Sequence, residues 1–380
     1  MLTTRVGKTK LAGDERVNAI FDVELTNCCN AHCVMCPRGN TPESGLMSES
    51  TFRKVVGRAA EYGKVDSFVM CGLGEPLLHP KVVDFTRMAA EAGLKPTIVT
   101  NASRLTVEKS EQLITAGLSY LNVSLGGYRR KTYEAVHRGL DFETVYSNVL
   151  RFLQMAGTKV TVNIQISPTE DTVKEAPHIA NFWRARGVSY CFIFPFAASR
   201  GGSLSDEEAR EKRCQKHRIS RAPSGCLNIE QIFRPSRRDH ALMHGRSDFV
   251  CYPKDRVTFI SWQGNYHLCC SDYEKRYDIS SVFDTPAQTA YRLKAQTNRA
   301  NCELCAGCDF SGGDVPPRSL GFYARLAVYY LRSKLQRLNR RPPHPDLGPW
   351  QLSGRRQSDY DPLPKNEMKK RGDRLLSGRP

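Results

Sequence analysis

Cysteine is the residue whose placement first points to chemistry. The chain has 14 cysteines in 380 residues, and most fall in three knots: Cys28, Cys29, Cys33 and Cys36; then Cys251, Cys269 and Cys270; then Cys302, Cys305 and Cys308. The N-terminal stretch MLTTRVGKTKLAGDERVN is charged throughout and has no apolar core of a secretory signal. The expected compartment is therefore the reducing cytosol, where disulfides do not persist and knotted thiols read as metal ligands. Three thiolates at the spacing Cys29-x3-Cys33-x2-Cys36 can hold three irons of a 4Fe-4S cube, a cluster otherwise held by four cysteines. The fourth iron is then open to another ligand. An electron carrier or plain iron-sulfur protein ligates its irons fully, so an open iron argues for catalysis.

Such a loop needs a scaffold, and the sequence supplies one. Short β-branched or apolar runs recur at Ala19–Leu25, Ser67–Cys71, Thr97–Thr100, Tyr120–Leu125, Val160–Ile166 and Ser189–Phe194, with amphipathic stretches such as Ser50–Tyr62 and Pro80–Ala92 between them. Alternation of that kind predicts crossover helices on a parallel sheet. Six βα units in about 185 residues are too few for a closed barrel of roughly 250. The expected fold is α/β, a partial (β/α)6 barrel over 18–205 followed by a small cysteine-rich α+β unit over 247–312. An N-terminal extension (1–17), a connection (206–246), a basic amphipathic helix (313–340) and a Pro/Arg/Lys/Gly-rich tail (341–380) expected to be disordered complete the division. Active groups belong at the C-terminal ends of the strands, and Cys29 to Cys36 directly follow the first.

The cysteine spacing resembles the signature of the radical S-adenosylmethionine (SAM) superfamily, and further motifs follow in that family's order. Gly72-Leu73-Gly74-Glu75-Pro76 is similar to its GGEP motif, Thr100-Asn101-Ala102 to its TNG, and Val123-Ser124-Leu125-Gly126-Gly127 to its segment that contacts the ribose or carboxylate of SAM. Arg138 matches a downstream arginine that pairs with the SAM carboxylate, as a guanidinium does well, and Met35 the position that packs near adenine. The resemblance implies Cys29, Cys33 and Cys36 as cluster ligands and Met35, Gly74, Glu75, Asn101, Ser124 and Arg138 as SAM-binding residues. Leu73 and Ala102 stand where relatives have glycine, which leaves the backbone path at both turns open. Cys28 reads as a small buried hydrophobe.

Cys251-x12-Gly264-x4-Cys269 and then Cys302-x2-Cys305-x2-Cys308 resemble the SPASM/twitch extension behind many such barrels. With no cysteine after Cys308, the shorter twitch type with one auxiliary 4Fe-4S cluster is expected. Its ligands are Cys251, Cys269, Cys305 and Cys308, with Cys302 as the alternative, and a structural zinc site made by the same thiolates is the competing reading. A hairpin is expected over Val257–Ile260 and Tyr266–Cys269, turning at Gln263-Gly264-Asn265. Cys270 reads either as a packed cysteine or as a thiol that donates a hydrogen atom to a substrate radical, and Asp272 lies beside it.

The resemblance implies that a reduced cluster cleaves SAM to methionine and a 5′-deoxyadenosyl radical, which abstracts a substrate hydrogen; a reductase with flavodoxin or ferredoxin would supply the electron. Oxidation (dehydrogenation) of a sugar- or cyclitol-like metabolite in a biosynthetic pathway is the leading expectation. A maturase-type enzyme acting on a peptide and a sugar epimerase are the alternatives. Asn163, Gln165 and Phe194 are candidates for the substrate lining. The net charge of +17 collects largely after residue 315, and no basic motif interleaved with aromatics accompanies it, so no nucleic-acid partner is expected. The helix over 319–338 suits either docking on the barrel or peripheral contact with an anionic membrane. The expected location is cytoplasmic, with that membrane contact as its one qualification.

Overall fold

The computed structural model describes residues 19–36, 43–167, 172, 175–193, 227–228, 250–251, 254, 256–297, 302, 304 and 314–315. The expected extension over 1–17, the basic helix over 319–338 and the tail lie outside these residues, as do Phe194, Cys305 and Cys308. For Cys251 the description covers the backbone.

In chain order the elements are β1 (Ala19–Val23), β2 (His32–Cys33), α1 (Glu49–Tyr62), β3 (Val65–Met70), α2 (Val82–Glu91), β4 (Pro96–Thr100), α3 (Val107–Thr115) and β5 (Tyr120–Ser124). There follow α4 (Arg130–Val136), β6 (His137–Arg138), α5 (Phe142–Ala156), β7 (Thr161–Ile166), α6 (Ala176–Arg184), β8 (Tyr190–Ile193) and β9 (Leu227–Asn228). The C-terminal part adds β10 (Val250–Cys251), β11 (Val257–Ile260), β12 (Asn265–His267), β13 (Asp278–Ser281), α7 (Ala287–Gln296) and β14 (Asp314–Val315). The main sheet runs β13-β12-β11-β1-β3-β4-β5-β7-β8-β9, with every pair from β1 to β9 parallel. This is the expected α/β partial barrel.

Local chemistry sets the helix ends. Ser48, Thr106 and Asp141 each accept a backbone N–H of the first turn of α1, α3 and α5, satisfying a donor that has no partner within the helix. Gly63 closes α1 at φ +74°, a conformation that costs a side-chain-bearing residue 1 to 2 kcal/mol or so.

Strand residues alternate between two environments, as the pleat requires. Phe21, Val23, Phe68, Met70, Ile98, Leu121, Val123, Val162 and Ile164 face the helices and share one core. Within it Phe52 of α1 stacks on Phe85 of α2 at 4.1 Å and meets Phe68 edge-on at 5.9 Å. The opposite face carries Asp22, Asn122, Ser124, Asn163 and Gln165 and lines the inside of the partial barrel.

The C-terminal hairpin continues the barrel sheet. β11 pairs in parallel with β1, then β12 and β13 turn back antiparallel, so the barrel and the cysteine-rich segment share strands. All four residues of β11 are buried, as expected of a strand covered on both faces. Gly264 turns the hairpin at φ +93°, where a Cβ would come within 2.9 Å of Thr51 of α1. Arg58 of α1 fastens the same end, after β13: its Nε donates to Val282 O at 2.8 Å and its Nη2 to Phe283 O at 3.3 Å. No described helix is long and apolar enough to cross a membrane.

Candidate active site

The loop after β1 carries the first cysteine knot over the C-terminal ends of the strands. Thr26 and Asn27 anchor it, Thr26 Oγ1 donating to Gly45 O (2.7 Å) and Asn27 Oδ1 accepting Gly45 N–H (2.9 Å). Past the turn, Cys33 pairs with His137 across the two-residue ladder of β2 and β6, and Val34 N–H donates to Val136 O. Cys29 and Cys33 are half-buried, Cys36 is exposed, and none of the three is in a disulfide. Cys29 Sγ accepts Ala31 N–H at 3.4 Å, and Asn101 Nδ2 lies 3.9 Å from the same sulfur. Donors aimed at sulfur suit thiolates that carry a cluster's charge. Among the described residues no three Cys, His or acidic side chains converge on one point as a single metal ion requires; a cube, whose ligands bind separate irons, makes no such demand.

Two of the expected SAM-binding residues, Glu75 and Asn101, form one hydrogen-bonded unit. Glu75 is buried and ties the ends of β3 and β4 together. Its Oε1 accepts from Thr100 Oγ1 (2.6 Å) and Leu77 N–H (3.0 Å), and its Oε2 from Asn101 N–H (2.7 Å). Burial raises its pKa, and these three donors work against that shift. Most of the carboxylate's acceptor capacity is thus used within the protein. Gly74 lies in a cradle where a Cβ would be 2.1 Å from Thr26 O, so any side chain there displaces the cysteine loop. Asn101 Oδ1 accepts from Ser103 N–H and Oγ, while its Nδ2 reaches Asn30 Oδ1. Ser124 ends β5 half-buried, Met35 is half-buried between two cysteines, and Arg138 is exposed opposite His32 in the β2–β6 ladder.

The two departures from the family motifs resolve differently. Gly72, at φ +139°, takes the unusual backbone of the first turn and leaves Leu73 outside the left-handed region. Ala102 itself sits at φ +59° and is fully buried.

Near the second knot, Cys269 Sγ accepts Ser271 N–H at 3.1 Å. Cys302 is 4 % exposed and packs with Leu268 and Leu304 in a small core that Cys269 also touches. Cys270 donates toward Cys269, which brings the Cys269 thiol down to about 7 and pushes that of Cys270 up. Asp272 accepts Arg276 and Tyr277 N–H, closing the turn beside these cysteines.

Three residues of the site had no role assigned from sequence. His137 is buried, with Nδ1 3.2 Å from Cys33 Sγ and Nε2 accepting Gly126 N–H at 2.9 Å; burial depresses its pKa to about 4. Its sequence signal was adjacency to Arg138. Glu24 ends the run after β1, wholly buried, and pairs with Lys275. Asp22, one turn of the pleat earlier on β1, has its carboxyl raised to about 7 by burial, against a hydrogen bond from Cys71 and the charge of Lys294. Both acids were legible only as polar residues in an apolar run.

Residues 23–181 match the Radical SAM superfamily model. Among curated proteins, the tungsten-containing aldehyde ferredoxin oxidoreductase cofactor-modifying protein of Pyrococcus furiosus is 25% identical over 177 residues, 45% of this chain and 49% of its own length. The AdoMet-dependent heme synthase of Methanosarcina barkeri is 28% identical over 188 residues, 48% and 52% of the two chains. GTP 3',8-cyclase 1 of Pseudomonas aeruginosa is 26% identical over 249 residues, 63% and 70%. The chain spans about half the length of the first two of these relatives. Two solved structures share its fold: Streptococcus suis SuiB bound to precursor peptide SuiA (TM-score 0.55, 14% identity, 78% of this chain and 71% of that one) and anSMEcpe with bound AdoMet (TM-score 0.53, 14% identity, 84% and 98%). Matched model, motif order and barrel agree over this part of the chain: residues 23–181 resemble the radical SAM domain, whose superfamily uses a 4Fe-4S cluster and SAM.

Proposed function

We propose that the protein oxidises a hydroxyl-bearing small molecule, of the sugar or cyclitol type, with Cys29, Cys33 and Cys36 holding the SAM cluster and a second cluster held by thiols of the C-terminal segment. Bound there, the groups supply a 5′-deoxyadenosyl radical that takes a hydrogen atom from carbon and an acceptor for the second electron of the oxidation. Gly74, Asn101 and Ser124, which follow or end strands of the main sheet, with the carboxylate of Glu75 bracing Asn101, would hold SAM together with Arg138 and Met35.

The observation that carries the substrate class is Asn163. Its Nδ2 donates to Asn122 Oδ1 at 2.9 Å, while its Oδ1 is a buried acceptor with no partner among the described residues. A buried acceptor left open costs on the order of 1–3 kcal/mol, which a substrate hydroxyl donating to it would offset. Asn122, Ser124 and Gln165 share its face of the sheet, a polar lining suited to several hydroxyls. Asp22 stands on the same face of β1, and its near-neutral carboxyl can take the alcohol proton as the carbon becomes a carbonyl.

Epimerisation is the second reading. A non-ligating Cys270 keeps its proton, with Asp22 and Cys71 close enough to influence it, and a thiol there can return a hydrogen atom to a carbon radical. Anaerobically reconstituted protein tests both. About eight irons in the wild type and four after Cys29, Cys33 and Cys36 are changed to Ala, with SAM altering the EPR signal of the lost cluster, supports the two-cluster assignment. With dithionite and SAM, a panel of hexoses, inositols and aminocyclitols is then scored for 5′-deoxyadenosine and product. A ketone supports oxidation; solvent deuterium at carbon, lost in Cys270→Ala, supports epimerisation instead. Turnover seen only with peptides overturns the small-molecule reading.

A further inference from the structure

His137 has no place in the SAM-binding motifs, yet it is held more closely than any of them requires. Tyr133 stacks on its ring at 4.7 Å, the β2–β6 ladder fixes its backbone opposite Cys33, and Gly126 approaches so tightly that a Cβ would lie 2.8 Å from Nε2. Gly126 N–H donates to that Nε2 at 2.9 Å, so Nε2 carries no hydrogen. A neutral imidazole then has its proton on Nδ1, and Nδ1 lies 3.2 Å from Cys33 Sγ. The bond is therefore N–H to sulfur, with the tautomer set by a backbone amide 11 residues earlier in the chain.

We infer that His137 is a positioning residue for the SAM cluster: through its Nδ1–H to Cys33 Sγ it orients that ligand and makes the cluster easier to reduce. The inference rests on Cys33 being a ligand. A donor to a cluster sulfur withdraws charge from the thiolate and favours the reduced state, which carries one more negative charge. The segment Gly126-Gly127 after β5 borders the expected SAM pocket, so the same imidazole joins a cluster ligand to the wall of that pocket. Backbone movement at Gly126 on SAM binding would be felt at the cluster through this ring.

Two substitutions separate the two bonds. In His137→Asn the amide nitrogen falls where Nδ1 was and can still donate to Cys33. In His137→Gln the amide oxygen falls where Nε2 was, keeping the bond from Gly126 but losing the one to sulfur. Reconstituted enzyme is titrated anaerobically and the reduced SAM cluster is followed by EPR. His137→Gln is expected to lower the ratio of reduced to oxidised cluster about tenfold at fixed potential, a shift of about 59 mV for one electron, and His137→Asn to restore most of it. An unchanged potential in His137→Gln, or equal losses in both variants, overturns the inference. Wild-type enzyme labelled with ¹⁵N-histidine gives a readout without substitution: a weak ¹⁵N coupling to the reduced SAM cluster is expected, and its absence overturns the inference. Cys33→Ala keeps the two failures apart. Full iron retained there removes Cys33 as a ligand, whereas loss of about four irons beside an unshifted His137→Gln removes only the role of His137.

Discussion

Lys275 Nζ lies 2.7 Å from Glu24 Oε2, and the two side chains, 251 positions apart in sequence, are 8% and 0% exposed. Glu24 also accepts Leu73 and Trp262 N–H at 3.4 Å, so one carboxylate joins the cysteine loop, the Gly-Glu-Pro turn and the C-terminal hairpin. Lys275 holds this contact from a left-handed backbone, φ +53°.

Breaking that pair from one side strands a buried charge. Lys275→Ala is expected to destabilise the chain by about 3–5 kcal/mol, whereas Glu24→Gln with Lys275→Met, which removes both charges at similar volume, is expected to cost much less. Chemical denaturation of the three proteins measures the difference. Equal losses for the single and double variants would show that shape, not charge, holds the joint.

Ala102 and Leu73 occupy family glycine positions with opposite backbone demands. Ala102→Gly relieves a left-handed alanine and is expected to stabilise by up to about 1 kcal/mol. Leu73→Gly removes a mostly buried side chain from a backbone that needs no glycine and is expected to destabilise by about 2 kcal/mol or more. Thermal melts of the two variants should move in opposite directions. A shared direction would mean that the φ of Ala102 is not what limits that turn.

The scaffold was readable because its signals are local. Runs such as Tyr120–Leu125 and Val160–Ile166 became β5 and β7 with ends moved by one residue or so, and Ser48 and Asp141 begin helices by their own side chains. What escaped was set by contacts between distant segments. Val257–Ile260 announced a strand but not its parallel place beside β1, since nothing local encodes a neighbour more than 230 residues away. The two-residue pairing of Cys33 with His137 is too short for any periodicity to show, and Glu24 and Asp22 looked like interruptions of an apolar strand until their partners surrounded them.

Asp22 makes stability depend on pH in a stated direction. Burial pushes its folded carboxyl up to about 7 from an ordinary 3.8, so between these values the folded chain binds more protons than the unfolded one. Stability therefore falls as pH rises from about 4 to about 7 and is flat in this contribution above that. The full span is on the order of 4 kcal/mol at about 1.4 kcal/mol per pH unit. In Asp22→Asn, cluster-free protein should lose this slope and gain stability at neutral pH. Denaturation curves at pH 5 and pH 7.5 decide it; parallel losses in variant and wild type would place the dependence elsewhere.

Cys302 offers a direct choice between packing and ligation. It is buried in the small core that touches Cys269, where an apolar residue of similar size should pack equally well. Cys302→Val therefore preserves the core and removes only the sulfur. If Cys302 joins Cys251 and Cys269 on the second cluster, the reconstituted variant falls from about eight irons to about four while its response to SAM persists. Iron retained in Cys302→Val and lost in Cys305→Ala would return the ligand set to Cys305 and Cys308, leaving Cys302 a packed thiol. Because the first cluster lies on another loop, its EPR signal with SAM serves as the internal control in both variants.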